Sequence, residues 1–304
     1  MRASKVDEIV ASDDSPFVAV VDIDCNVSIW NLSTGRKISE FRSFWDIGGQ
    51  RLAISKDGSR CAVGAWNRYG ITMHDTTQGR ILWQRKELKK VQSMKFSRYL
   101  SALFAEIDMR AFHIVDTESG ETLEKMRGIE GICESPFEKI ELLERKSAGL
   151  EIVEFDSKTT IFKIARLSFA VLDALFTKRS VVVWESGHYP ETTQSISCYS
   201  LKDGDLIWRY QVPKDSLLRG LGYRQSSAEL LAIKDYKTLL TFDESDGKLR
   251  KEIPIGDAVR SAFAIGGSLL VTWTGKVHDT ITGRTVLNLE FPLMRSDKDT
   301  EITG

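Results

Sequence analysis

Ile29-Trp30-Asn31-Leu32-Ser33-Thr34-Gly35-Arg36 is the stretch on which the fold turns. An apolar run reaches Asn31, small polar residues and Gly35 reverse the chain, and a second run leads away. Asn and Asp side chains hydrogen-bond to the backbone two residues on, and Gly accepts a positive φ without steric cost. The stretch is therefore a β-hairpin signal with a physical cause. The same order recurs at Met73-His74-Asp75-Thr76-Thr77-Gln78-Gly79-Arg80 and at Ile114-Val115-Asp116-Thr117-Glu118-Ser119-Gly120-Glu121. It returns at Tyr199-Ser200-Leu201-Lys202-Asp203-Gly204, at Phe242-Asp243-Glu244-Ser245-Asp246-Gly247 and at Val277-His278-Asp279-Thr280-Ile281-Thr282-Gly283.

The glycines at 35, 79, 120, 204, 247 and 283 are 44, 41, 84, 43 and 36 residues apart. The gap of 84 is two periods of 42, which predicts a further unit near residue 160. There Ile152-Val153-Glu154-Phe155-Asp156-Ser157-Lys158-Thr159-Thr160 keeps the Asp and has lost the Gly. Two more short strands precede each hairpin. In the second unit they are Arg51–Ser55 and Arg60–Gly64, split by the turn Lys56-Asp57-Gly58; in the third they are Ser93–Ser97 and Leu100–Phe104. Four strands per unit, seven times over, specify an all-β, seven-bladed β-propeller with four antiparallel strands per blade. One domain is expected, with blades near 1–41, 42–86, 87–127, 128–166, 167–212, 213–254 and 255–290 and a tail at 291–304.

The units resemble WD40 repeats, and Ile29-Trp30-Asn31-Leu32-Ser33-Thr34-Gly35 is the nearest to that pattern. Gly79-Arg80-Ile81-Leu82-Trp83 and Gly204-Asp205-Leu206-Ile207-Trp208 also resemble the quinoprotein-like repeat, with its Gly and following Trp. The resemblance spans nearly the whole chain, in degenerate form. The Gly-His dipeptide of WD40 blades is absent, and Trp30 is followed by Asn31 rather than Asp.

Two places leave alternatives open. Ser135-Pro136-Phe137-Glu138 is a capping box with Pro at the first helical position, which suits a helix through Lys146. The period instead favours the first two strands of blade four across the same residues. The closure of the ring is the second. Val6 to Ala11 suits the inner strand of blade one and Arg284 to Leu289 the outer strand of blade seven, with or without a terminal strand crossing over.

With 42 basic against 43 acidic residues, the charge balance gives no footprint for nucleic-acid binding. No apolar run reaches the roughly 18 residues of a membrane span. The first ten residues hold no apolar core and no small-residue cleavage site, so no signal peptide is expected and the expected address is the cytoplasm. Cys25, Cys61, Cys133 and Cys198 form no CxxC pair, which fits four buried thiols in a reducing compartment. No cofactor or metal is called for: there is no phosphate loop, no calcium loop and no adjacent cysteine pair. His74 and His278 each precede a turn Asp, where packing into the turn accounts for them; none of the four His residues sits in a hydrolase motif. A non-enzymatic module is expected.

Strand alternation then sorts the surface. Loops between the second and third strands of a blade share a face with the loops linking blades, and the repeated hairpin turns lie opposite. Phe44-Trp45 falls in the link from blade one to blade two, and Trp66-Asn67-Arg68-Tyr69 between strands two and three of blade two. Trp184 leads into a long loop with His188 and Tyr189 on blade five, and Trp273 takes the matching place on blade seven. Aromatic residues and Arg on rigidly held loops suit a partner-binding face, while tucking between blades is the competing role for each. Arg219 and Arg260 stand near the starts of inner strands, where they either face the channel toward an acidic group or, as the favoured reading, are solvated at the surface or pair with a neighbouring blade. Protein partners bound across this face are the expected function. A small molecule or chemistry in the central channel is the alternative.

Overall fold

The computed structural model describes residues 6–12, 14–44, 49–108, 111–145, 149–164, 170–187, 193–256 and 258–291. Among them every regular element is a strand, and each of seven antiparallel sheets is made of four consecutive strands. The inner strands of all seven sheets line one central channel.

Blade six shows how the sequence builds such a ring. Its second strand, Glu229–Lys234, is a continuous apolar run, as expected of a strand covered on both faces. Leu230 and Ala232 pack into the core shared with blade five, and Leu231 and Ile233 into the core shared with blade seven. The outer strand, Leu249–Pro254, meets water and is charged at Arg250, Lys251 and Glu252. A four-stranded sheet thus buries its two faces only against its neighbours.

One contact repeats around the ring. At six of the seven junctions an outer-strand side chain of one blade lies against the hairpin glycine of the next. Phe41 of blade one covers Gly79, Trp83 covers Gly120, Phe162 covers Gly204, Trp208 covers Gly247 and Ile253 covers Gly283. Leu287 of blade seven covers Gly35 of blade one, which closes the circle. The two Trp residues add a hydrogen bond, Nε1 of Trp83 donating to the Thr117 carbonyl (3.0 Å) and that of Trp208 to the Glu244 carbonyl (2.8 Å). Blade four lacks the glycine, and Lys158 takes its positive φ of 56°. The joint from blade three is made elsewhere: Tyr99 meets Phe155 edge-on at 4.9 Å and donates its hydroxyl to the Glu138 carbonyl.

Among the described residues no strand is exchanged at the closure. Val6–Ala11 pairs within blade one and Thr285–Asn288 within blade seven. Side chains join them instead: Trp30, Val18 and Val20 share a core with Ala264, Val271 and Phe291. The capping-box residues form no helix: they make the turn between Ile129–Glu134 and Ile140–Arg145, the first two strands of blade four. The signal itself is real but local. Ser135 Oγ accepts from the backbone N of Phe137 and Glu138 (3.2 and 3.3 Å) and closes a turn, because no helical turn follows to continue it.

Every outer strand also carries a β-bulge at the same place. The unpaired residue is Ile38, Leu82, Leu123, Ile161, Ile207, Arg250 or Val286 in blades one to seven. All six aliphatic ones are exposed.

The glycine contact predicts an asymmetry between two substitutions that share a backbone strain. A Cβ on Gly120 (φ +73°) would lie 2.8 Å from the Trp83 ring, whereas one on Gly256 (φ +79°) would meet nothing within 4 Å. Gly256→Ala is expected to lose about 1 kcal/mol, the cost of a left-handed residue. Gly120→Ala is expected to lose about 3 kcal/mol, because overpacking is added to that strain. Urea unfolding of both variants measures the difference, and equal losses would show that the close approach contributes nothing.

Candidate interaction face

The face opposite the hairpin turns is built from the loops between second and third strands and from the links between blades. On blade two, Ala65 N donates to the Gly70 carbonyl (2.7 Å), which closes a short loop holding Trp66, Arg68 and Tyr69. Tyr69 stacks on Phe44 of the preceding link, with ring centres 4.5 Å apart and planes 10° from parallel. Two loops distant by 25 residues are thereby held together. Trp66 and Tyr69 are half-buried and Arg68 is exposed, so this ledge keeps part of its aromatic surface in water. Trp45, His188 and Tyr189 lie outside the described residues.

The other two Trp residues pack inward. Trp184 is part of the strand Ser180–Ser186 rather than of the loop, and it is buried in the core between blades five and six. Trp273 does occupy a loop, but its half-buried ring packs on the core between blades seven and one.

The channel opens on this same face between charged residues. Asp7, Glu8, Arg51, Arg219 and Arg260 line its mouth. Arg260 of blade seven donates to Asp7 of blade one (2.6 Å) and to the Val6 carbonyl (3.2 Å), so it fastens the ring at its closure. Arg219 lies with its guanidinium 5.1 Å from the ring centre of Tyr236, on the corresponding loop of blade six. Glu8 accepts a hydrogen bond from the backbone N of Leu52 in blade two (2.6 Å). Burial pushes its carboxyl up to about 7, against the attraction of Arg51 and that hydrogen bond.

Neither models of known protein families nor curated proteins match the sequence. Solved structures do match the fold. A chain in the crystal structure of a mitotic checkpoint complex superposes with a TM-score of 0.68 at 17% identity, covering 90% of this chain and 85% of that one. The Cps50 (Swd1) β-propeller domain of Myceliophteria thermophila superposes with a TM-score of 0.66 at 12% identity, covering 93% and 96%. The chain has the fold of a seven-bladed β-propeller.

The remaining reactive groups of this propeller serve its turns and cores. His74 is buried, stacked on Phe41 at 4.3 Å, and its Nδ1 faces the Gly79 carbonyl; His278 Nδ1 faces the Gly283 carbonyl at the matching turn. Cys25, Cys61 and Cys198 are buried, Cys133 is half-buried, and none is disulfide-bonded. Among the described residues no three His, Cys, Asp or Glu side chains gather as metal ligands, and no helix is long and apolar enough to cross a membrane. Sequence reasoning found Arg219 and Arg260 but missed Tyr236, Glu8 and Arg51. Tyr236 was open to discovery, because Asp235-Tyr236-Lys237 separates two apolar strands as Trp66 to Tyr69 does.

Glu8 gives the face a pH dependence. Its folded-state value lies above the 4.5 of an ordinary glutamate, so the folded protein binds the extra proton between those values. Stability is then highest below about 4.5 for this group and falls as pH rises through about 7. Glu8→Gln keeps an acceptor for Leu52 N and removes the titration. It is expected to raise stability by roughly 2 kcal/mol at pH 8 and to leave it nearly unchanged at pH 4. Thermal melts at the two values test this, and an equal effect at both would refute it.

Proposed function

We propose that this chain is a non-enzymatic interaction module that binds one or more protein partners across its loop face. The observation that carries the proposal is the stack of Tyr69 on Phe44, with Trp66 half-buried and Arg68 exposed beside it. Preformed aromatic surface next to an Arg is the composition of interface hot spots, and it binds with little ordering cost because the loops already support each other. Trp45, His188, Tyr189 and Trp273 extend the proposed face, with Trp273 contributing the edge of a ring otherwise used in packing. The fold neighbours favour the same class of function, since one of them is a chain of a mitotic checkpoint complex. A formal net charge of −1 argues for protein rather than nucleic-acid partners, and a cytoplasmic address completes the proposal.

The test starts from a partner identified by affinity capture and mass spectrometry and then measures its affinity for variants. Trp66→Ala with Tyr69→Ala is expected to weaken binding by at least 2 kcal/mol, roughly thirtyfold. The melting temperature should fall only slightly, since the lost stack with Phe44 contributes about 1 kcal/mol. Asp57→Ala, in a hairpin turn on the opposite face, should leave affinity intact. Unchanged affinity in the double variant would place the partner on another surface, and its unfolding would make these residues packing elements.

A further inference from the structure

Two cavities in the ring are separate from the aromatic ledge. The central channel has a volume of about 540 Å³, within the range of about 300–1,000 Å³ typical of small-molecule sites. The mouth on the loop face adds about 350 Å³. Ile9, Gly220 and Ser261 line both, so the two run end to end.

The chemistry changes along this axis. At the mouth, Arg51, Arg219 and Arg260 stand with two carboxylates among the described residues, Asp7 and Glu8. Among those residues the guanidinium groups outnumber the carboxylates, and Glu8 in its protonated form widens the difference. Asp7 is engaged by Arg260. Among the described residues no carboxylate pairs with Arg219, which is exposed and steadied by the Tyr236 ring. Val259, an exposed aliphatic residue, stands beside these arginines on the rim.

Deeper in, apolar stretches of wall alternate with polar and charged side chains. Val10, Met94, Phe96, Leu175, Ala262 and Phe263 are half-buried and line the channel. Of the charged residues there, Asp173 is occupied by the backbone N of Ala174 (2.9 Å) and of Leu221 (3.3 Å), and Lys95 is not free either. At the far end, two contacts join blades that are not neighbours. Arg98 of blade three reaches Asp14 of blade one, with Lys56 of blade two 3.7 Å from the same carboxylate. Phe137 of blade four meets Tyr223 of blade six edge-on at 6.3 Å. These contacts narrow the channel on the hairpin face.

A cationic mouth, a wall with apolar stretches and a narrowed far end match one class of ligand. We propose that the channel binds a small amphipathic anion: an aliphatic chain ending in one carboxylate, the carboxylate at Arg219 and the chain along the channel wall. A guanidinium and a carboxylate form a charge-assisted pair at the mouth. The chain removes water from the half-buried side chains, which supplies the rest of the binding energy. The inner strands, most of them six or seven residues long, give the chain a path of roughly 20 Å at about 3.3 Å per residue.

Dodecanoate below its micellar concentration is the probe, measured by calorimetry and thermal shift on the full chain. One molecule should bind per chain and raise the melting temperature. Dodecanol, with the same chain and no charge, and Arg219→Gln, at an exposed position, should each weaken binding at least tenfold. Ala262→Trp fills the channel and should abolish binding, with circular dichroism checking that the ring is intact. If Ala262→Trp does not fold, Ala174→Phe tests the same wall from blade five. No dodecanoate binding would overturn the proposal. So would dodecanol binding equally well, or full affinity in both Arg219→Gln and the filled channel. None of these outcomes bears on the aromatic ledge, so the proposed partner face stands or falls separately.

Discussion

An outer-strand side chain of one blade rests against the hairpin glycine of the next, and the ring depends on that contact. The glycine meets two demands at once. Its backbone takes a left-handed turn that strains other residues, and its missing Cβ leaves room for a Trp, Phe, Leu or Ile from next door. Neither blade supplies both halves. The contact therefore couples six of the seven pairs of neighbouring sheets, and the pair Leu287 and Gly35 passes the coupling from the last blade back to the first. Among the described residues, that side-chain contact, the shared core at Trp30 and the pair of Arg260 with Asp7 join the chain ends.

Fastening the ring on the hairpin side leaves the opposite loops free of structural duty. Their geometry is set by what they touch among themselves, as Tyr69 and Phe44 do. Binding surfaces on rigid scaffolds commonly arise in this way, because loop sequence can vary without disturbing the sheets. The mouth of the channel is the exception: Glu8 reaches Leu52 and Arg260 reaches Asp7, so its charges both join blades and line an opening.

The strands were legible because their signals are local. An Asp that caps its own turn and a Gly at a fixed distance identify a hairpin without knowledge of its neighbours: Asp75 Oδ1 accepts from Thr77 N (2.8 Å) and Gln78 N (3.0 Å) within the turn itself. The degenerate unit at Asp156 was recoverable only from the period. Ser135 shows the limit of a local signal, since a capping oxygen serves a tight turn as well as a helix. The site was less legible, because its geometry comes from residues far apart in the chain. The sequence places Phe44 and Tyr69 on one face but cannot show that their rings stack. Trp184 reads as a loop residue until strand length is known, and the partners of Glu8 and Arg219 depend on how blades dock.

The bulge shared by all seven outer strands has a consequence for solubility. Each blade ends in a strand with a free hydrogen-bonding edge, the kind of edge on which another chain can add itself and start a fibre. Seven such edges on one molecule multiply the hazard. A bulge breaks the regular spacing of donors and acceptors that a visiting strand would need, and it increases the local twist. Its placement near the start of every outer strand leaves no edge long and flat enough to serve as a template. The exposed aliphatic residues on six of the bulges then sit singly around the rim, held apart by the blades, rather than in a sticky band.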